Sequence, residues 1–171
     1  MLKIIGCLIV FLGSALVGVF LASSKYERVK ELRSFIQALN MLETEIRFAL
    51  CTLPDAFIKI SALIEEKTSK VFSSAALKMQ GTRMNAFLAW NNSLEEQRAQ
   101  FSINSEDFSI LKSLGGSLGE ADVENQIKSI RLVVESLKNQ EIRAEEERAK
   151  SGKLLKSMGV LVGLTLVIIL Y

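Results

Sequence analysis

Uncharged segments at both ends of this 171-residue chain constrain its fold more than any other feature. Residues 4–24 and 157–171 contain no charged side chain. All 19 acidic residues, and every basic residue except Lys3, lie between these two segments. This separation predicts three parts: an N-terminal transmembrane helix at 1–22, a charged domain at 23–156, and a C-terminal membrane segment at 157–171.

The two apolar segments differ in length. Ile4–Ala22 is 19 residues long, or about 28 Å of helix, close to the ~30 Å of a hydrocarbon core. A signal peptide has a shorter apolar region of about 7–15 residues. The 15 residues of Ser157–Tyr171 give only about 22 Å. That segment therefore either crosses a locally thinned bilayer or docks against other membrane helices.

Basic residues beside the apolar segments predict the orientation. Nine of them lie on the side of the middle domain, whereas Lys3 alone lies on the other side. Lys and Arg concentrate on the cytoplasmic side of membrane helices, so we expect residues 23–156 to be cytoplasmic. The nine are Lys25, Arg28, Lys30, Arg33, Arg143, Arg148, Lys150, Lys153 and Lys156.

The composition argues against several classes of function. The chain has no histidine, which is the commonest general base and metal ligand, so we expect neither an enzyme nor a metal or cofactor site. The charges of the middle domain nearly balance, which argues against nucleic-acid binding. Cys7 and Cys51 fall in different predicted parts of the chain, which makes a disulfide bond unexpected.

The periodicity of the middle domain predicts an all-α bundle of about six helices. The first helix runs from Ser23 to Leu50 and carries an apolar stripe at spacings of three and four. Pro54 opens a second helix that reaches about Lys67. The inward-facing residues predicted for these two helices are Val29, Leu32, Ile36, Leu39, Leu42, Ile46, Ala49, Phe57, Ile60, Leu63 and Ile64.

Polar residues predict the starts of the remaining helices. Thr68 or Ser69 would cap the third helix and Thr82 the fourth, whose Phe87 and Trp90 are predicted core residues. Asn104 and Ser105 open the fifth. After a glycine-rich turn, Asp122 opens a long last helix that runs into the C-terminal apolar segment. Its stripe, which is heptad-like, consists of Val123, Ile127, Ile130, Val134 and Leu137.

Polar faces of the first and last helices are the candidate contact surfaces for a partner. The candidate residues are Arg33, Glu43, Glu45, Arg47, Asp122 and Gln126. A structural interpretation competes with this one. Glu43 and Arg47 are four residues apart and can pair on one helix face, while Asp122 and Gln126 can serve the start of the last helix.

Three sequence blocks resemble the stage III sporulation protein AB family. The resemblance covers the full length of the chain, and the order of the blocks makes it specific. The one departure is Ser129, where some relatives are expected to have a histidine. The blocks are Leu42–Ile46 with Thr52–Pro54, Leu114–Gly119 with Asp122 and Gln126–Lys128, and Lys156–Leu164 with the apolar tail that follows it.

The resemblance implies a membrane protein of the mother cell in endospore-forming bacteria. It further implies a shortened relative of the platform proteins of type II secretion and type IV pilus machines. Such a protein would lie in the mother-cell membrane around the forespore, beneath a channel between the two cells. Its expected partners are a secretion-type ATPase (the stage III sporulation protein AA), other channel subunits, membrane lipid and a second copy of the chain.

Two other functions remain as alternatives to a platform subunit. One is a membrane-anchored structural or signalling coiled coil that acts as a dimer. However, the heptad-like run lasts about two heptads, and a stable coiled coil needs three or four. The other is a pore subunit, which is disfavoured because neither apolar segment carries an ionisable stripe.

Overall fold

The computed structural model describes residues 2–48, 51–82, 84–119 and 122–170, with side chains for 23–48, 51–82, 84–119 and 122–150. These residues form six α-helices and two short 3₁₀ turns, without a β-strand in the described ranges, which confirms the predicted all-α fold. The helices are α1 (Leu2–Phe48), α2 (Leu53–Ser61), α3 (Glu66–Gly81), α4 (Ala86–Gln97), α5 (Ser105–Ser113) and α6 (Val123–Leu170).

The predicted membrane segments, 4–22 and 157–171, lie outside the residues whose side chains are described. Among the residues whose side chains the structure describes, none of the helices combines the length and the apolar character that crossing a membrane requires.

Helices α1 and α6 form an antiparallel hairpin along the bundle. Three ion pairs mark its register: Lys25 with Glu147 at 3.2 Å, Arg33 with Glu141 at 2.6 Å, and Arg131 with Glu43 at 2.8 Å. We call the end that contains Lys25 and Glu147 the proximal end, and the end that contains Phe48 and Val123 the distal end. The chain positions before 23 and after 150 therefore follow on from the same, proximal end of the hairpin.

Apolar stripes of the two long helices close the hairpin. The predicted residues of α1 from Val29 to Leu42 are buried, and so are four of the five predicted in α6. Val123 is the exception and is exposed, because it lies in the first turn of α6 at the distal end. The buried side of α6 extends further than predicted, through Gln140 and Ala144.

Helices α2, α3 and α4 pack as a second layer around an aromatic cluster. Phe57, Phe72 and Trp90 are fully buried, and their ring centroids lie 5.0–5.8 Å apart in tilted and edge-to-face arrangements. The indole N–H of Trp90 donates to the carbonyl oxygen of Leu111 at 2.8 Å, which ties α4 to α5. Each such side chain contributes about 1.5–3 kcal/mol through burial.

The turn between the second and third helices lies earlier in the chain than predicted. Helix α2 ends at Ser61, and α3 begins at Glu66 after an N-cap at Glu65. Thr68 is a buried residue inside α3, and Leu63, predicted to face inward, is exposed in the turn. Because residues 61–66 contain neither glycine nor proline, the turn is imposed by the packing of α2 against α3 and leaves no local sequence signal.

The predicted start of α4 is also displaced. Asn85 is its N-cap and accepts a hydrogen bond from the backbone N–H of Leu88 at 2.8 Å. Thr82 instead closes α3, since its hydroxyl donates to the carbonyl oxygen of Lys78 at 2.6 Å. With its N-cap at Asn85, helix α4 directs Trp90 into the core and leaves Phe87 exposed. The prediction of a core position is therefore confirmed for Trp90 and wrong for Phe87.

The predicted starts of α2 and α5 are confirmed. Thr52 caps α2 with Pro54 in its first turn. Asn104 and Asp107 form a capping box at α5, in which each side chain binds the backbone N–H of the other residue. The glycine-rich segment forms a 3₁₀ turn at Leu114–Ser117, followed by Gly119 with φ +81°. That value lies in the left-handed region, which favours glycine.

Candidate protein-docking surface

The distal end of the hairpin carries a groove of about 710 Å³, which we call the distal groove. It lies where α1 ends and α6 begins, because the antiparallel arrangement brings the last turn of α1 beside the first turns of α6. Its lining is mixed, with cationic, acidic, amide and apolar side chains. The lining residues are Arg47, Val123, Glu124, Asn125, Ile127, Lys128, Arg131, Leu132 and Glu135.

Three cations converge on the distal groove. Arg131 donates to Oε1 of Glu43 from Nε at 3.0 Å and from Nη2 at 2.8 Å, and Arg47 donates to the same oxygen at 3.2 Å. The hydrogen bonds from Arg131 lower the pKa of Glu43. Two guanidinium groups share one carboxylate oxygen and the exposed Lys128 adds a third cation, while Glu124 and Glu135 place two acidic side chains in the same lining.

Apolar side chains surround these charges. Phe48 is 77% exposed and Leu132 is 57% exposed, and Val123 is exposed between them at the start of α6. The guanidinium carbon of Arg47 lies 6.0 Å from the centroid of the Phe48 ring. Aromatic and arginine side chains are enriched where proteins bind one another, and exposed apolar groups rimmed by charge are typical of such surfaces.

The structure brings four of the six predicted contact residues to the distal end: Glu43, Arg47, Asp122 and Gln126. Asp122 serves the start of α6, since its Oδ1 accepts from the backbone N–H of Glu124 at 3.0 Å and its Oδ2 from Asn125 at 2.6 Å. Gln126 is buried beneath this turn. Of the four, Arg47 and Asp122 are exposed, Glu43 is partly buried and Gln126 is buried.

The other two predicted residues lie elsewhere. Glu45 faces α2, where it accepts from Lys59 at 3.2 Å and from the thiol of Cys51 at 3.4 Å. Arg33 lies nearer the proximal end and binds both Glu141 and Glu145 at 2.6 Å. Arg33 and Glu141 line a second, smaller groove of about 420 Å³, together with Ile36, Gln37, Asn40, Met41 and Thr44.

Sequence reasoning missed a buried polar cluster that fixes α5 to the hairpin. Arg28 lies among Asp107 of α5, Gln140 and Glu147 of α6, and donates to all three at 2.8–3.3 Å. These hydrogen bonds, first of all the one to Asp107, raise the pKa of Arg28. A signal was available in the sequence, because Arg28 precedes Leu32 by one helical turn and so shares the buried stripe of α1.

A second buried carboxylate joins α1 to α3. Glu31 is fully buried and accepts from Lys67 at 2.6 Å and from the backbone N–H of Ser102 at 2.7 Å. Burial raises the pKa of Glu31, although Lys67 and the Ser102 N–H oppose the shift. Both clusters hold helices together, and neither opens onto a cavity described above.

The described residues include neither a metal-binding group nor an activated thiol. Where side chains are described, no group of three or more Cys, Asp and Glu residues is arranged to hold a metal ion. Burial raises the pKa of the Cys51 thiol, and its hydrogen bond to Glu45 acts in the same direction. A thiol in this environment is kept protonated, which is unfavourable for nucleophilic attack.

Comparison with known proteins points to one family. The family model of Stage III sporulation protein AB matches residues 3–171. Stage III sporulation protein AB of Bacillus subtilis (strain 168) is 31% identical over 170 residues, which is 99% of this chain and 99% of that protein. A solved structure of Stage III sporulation protein AB is similar with a TM-score of 0.69 at 28% identity, covering 72% of this chain and 98% of that one.

Proposed function

The chain belongs to the stage III sporulation protein AB family, and on that premise we propose that it is a non-enzymatic platform subunit of a secretion-like channel complex. Its helical bundle would be cytoplasmic and tethered to the mother-cell membrane around the forespore. There it docks a secretion-type ATPase, the stage III sporulation protein AA, against the membrane subunits of the channel.

The single observation that carries the proposal is the ion pair between Lys25 and Glu147 at 3.2 Å. It marks a register in which residues 4–22 and 157–171, both uncharged, follow on from one end of the bundle. A bundle attached to a membrane through both segments presents its opposite end to the cytoplasm. The distal groove lies at that opposite end, where an ATPase can reach it.

The alternative of a dimeric coiled coil receives less support. Its heptad-like seam would need Ile127, Ile130, Val134 and Leu137 to meet a second copy. These four side chains are buried within the chain and pack in the hairpin with α1. Over the described part of α6, 123–150, the face left for a second copy exposes Val123, Leu132 and Ile142, which are nine or ten residues apart and form no heptad seam.

A crosslinking pull-down from sporulating cells tests the proposal with a matched pair of substitutions. Leu132 and Ile142 both lie on α6 and are 57% and 59% exposed, but only Leu132 lines the distal groove. We expect Leu132→Asp to lose most of the captured ATPase and Ile142→Asp to retain it. Equal melting temperatures of the two variants would show that folding is not the cause.

Three results would contradict the proposal. If neither variant changes ATPase capture, the distal groove is not the docking surface. If the wild-type chain captures no ATPase under conditions where its membrane subunits are recovered, the platform function itself fails. ATP hydrolysis by the purified full chain would contradict the non-enzymatic role.

A further inference from the structure

An exposed tyrosine and an arginine meet at the proximal end of the hairpin. Tyr26 on α1 is 50% exposed, and the guanidinium carbon of Arg148 on α6 lies 4.8 Å from the centroid of its ring. Tyr26 stands two positions after the uncharged run 4–24. Tyrosine is enriched at membrane–water interfaces because its ring is apolar and its hydroxyl is polar. The position of this pair therefore suits contact with a bilayer surface.

Positive charge is available around this pair. Arg148 lies 3.6 Å from Glu145, and Lys25 lies 3.2 Å from Glu147, in pairs whose side chains are 38–50% exposed. Lys150 is exposed and has no carboxylate partner among the described side chains. Exposed ion pairs are weak, so a phosphate group can replace either carboxylate.

The carboxylates near this tyrosine–arginine pair are bound by basic side chains of the bundle. Glu27 accepts from Lys67, and Glu147 accepts from Arg28 as well as from Lys25. Glu146 is exposed, but it lies one helical turn further from the proximal end than Lys150. The outermost described turns, 23–26 and 147–150, therefore hold three cations, Lys25, Arg148 and Lys150, against one carboxylate, Glu147.

We propose that Lys25, Tyr26, Arg148 and Lys150 form a binding surface for anionic phospholipid headgroups. The Tyr26 ring lies at the level of the headgroups, and Arg148 and Lys150 bind lipid phosphate. The inference rests on the membrane tether in the proposed function, and it adds the chemistry of the lipid. A lipid source of the phosphate is favoured over a free ion because the surface directly follows the uncharged run 4–24 on α1 and lies about two helical turns before the uncharged run 157–171 on α6.

Fluorescence quenching in nanodiscs tests the inference on the full chain. Tyr26→Trp introduces a reporter, and the wild-type protein measures the background from Trp90, which is fully buried. Lipids brominated near the headgroup are supplied as phosphatidylglycerol or phosphatidylcholine at the same mole fraction. We expect the reporter to be quenched more by the brominated phosphatidylglycerol, because anionic lipid is enriched around it.

Charge substitutions in the Tyr26→Trp protein show which side chains cause the preference for phosphatidylglycerol. Replacing Arg148 and Lys150 by Gln should reduce the local enrichment roughly fivefold for each cation removed. Lys128→Gln is the matched control, since Lys128 is an exposed cation at the distal end. Equal quenching by both lipids, or a preference that survives the double substitution, would overturn the inference. Loss of the preference in excess inorganic phosphate would assign the site to the free ion and overturn it too.

A flotation assay separates this inference from the proposed function. A wild-type chain that fails to float with vesicles of either lipid has no membrane tether, and both proposals then fail. A chain that floats equally well with both lipids, and shows no preferential quenching, contradicts only the headgroup surface.

Discussion

The guanidinium group of Arg28 binds the carboxylate of Asp107 through two hydrogen bonds, from Nε to Oδ2 at 2.8 Å and from Nη2 to Oδ1 at 3.1 Å. Both side chains are almost completely buried. Asp107 also accepts from the backbone N–H of Asn104, so one carboxylate caps α5 and joins it to α1. Fork-shaped pairs of this kind fix orientation as well as distance. The position of α5 on the hairpin therefore depends on them.

We predict that Asp107→Ala destabilises the protein by about 3–5 kcal/mol, because it leaves Arg28 buried without its main partner. Asp107→Asn should destabilise less, since the amide oxygen still accepts one hydrogen bond. Denaturant unfolding followed by Trp90 fluorescence measures both changes. Glu106→Ala is the control, because Glu106 is exposed and its nearest cation, Arg143, is 3.5 Å away. A loss for Asp107→Ala no larger than that of the control would contradict the prediction.

The raised pKa of Glu31 predicts an unusual dependence of the free energy of unfolding on pH. Its pKa is raised in the folded state, chiefly by burial, so the folded state binds its proton more tightly than the unfolded state. This contribution is therefore most favourable below the unfolded pKa and is lost as the pH rises through the folded value. We expect wild type to lose stability relative to Glu31→Gln when the pH is raised from about 4 to 7. Melting temperatures of the two proteins across this range provide the test.

The opposite trend would show that the ion pair with Lys67 outweighs the desolvation of Glu31. Glu43 supplies a comparison, since Arg131 lowers its pKa. Its contribution is present above its unfolded pKa and is lost as the pH falls, so Glu43→Gln should differ from wild type least in acid.

Two glycines of the turn before α6 should respond differently to substitution. Gly119 has φ +81°, and an added Cβ would lie 3.3 Å from the Cβ of Ala86. We expect Gly119→Ala to cost about 1–2 kcal/mol, the usual penalty of a left-handed backbone for a residue with a side chain. At Gly116 an added Cβ meets nothing within 4 Å. Gly116→Ala should therefore be close to neutral, and thermal unfolding of both variants measures the difference.

The cytoplasmic assignment can be tested by thiol labelling in a Cys7→Ser background. A maleimide that cannot cross membranes should leave Cys51 unlabelled in intact cells and label it after permeabilisation. Because Cys51 is half-buried and its thiol pKa is raised, its reaction will be slow. Asn139→Cys in a Cys51→Ser background gives an exposed reporter on α6. Labelling of either site in intact cells would place the domain on the other side of the membrane.

Periodicity predicted the helices well where the apolar stripe was long. The stripe from Val29 to Leu42 identified the buried side of α1, and Asn104 with Ser105 identified the start of α5. Both signals are local, since they depend on residues within one or two helical turns of each other. Where the signal was not local the prediction failed, as at the turn after Ser61 and at the cap of α4.

In the candidate site, too, the sequence predicted contacts within one helix but not contacts between distant helices. The amphipathic pattern placed Glu43 and Arg47 on an exposed face of α1 and predicted that they could pair, and they do so at 3.2 Å. It could not show that Arg131, 88 residues later in the chain, binds the same carboxylate. Nor could it show that Glu45 faces α2. Contacts between distant helices depend on how the whole bundle packs.

The sequence by itself determined that this chain has two uncharged ends, a helical middle and the caps of α2 and α5, because these depend on composition and on neighbours along the chain. Only the tertiary structure decided the register of the α1–α6 hairpin, the burial of Arg28 and Glu31, and the groove at the distal end. A charged side chain is expected at the surface unless a partner is buried with it. The partners of Arg28 and Glu31 are supplied by helices far away in the chain, so burial of these charges becomes favourable only when the bundle is assembled.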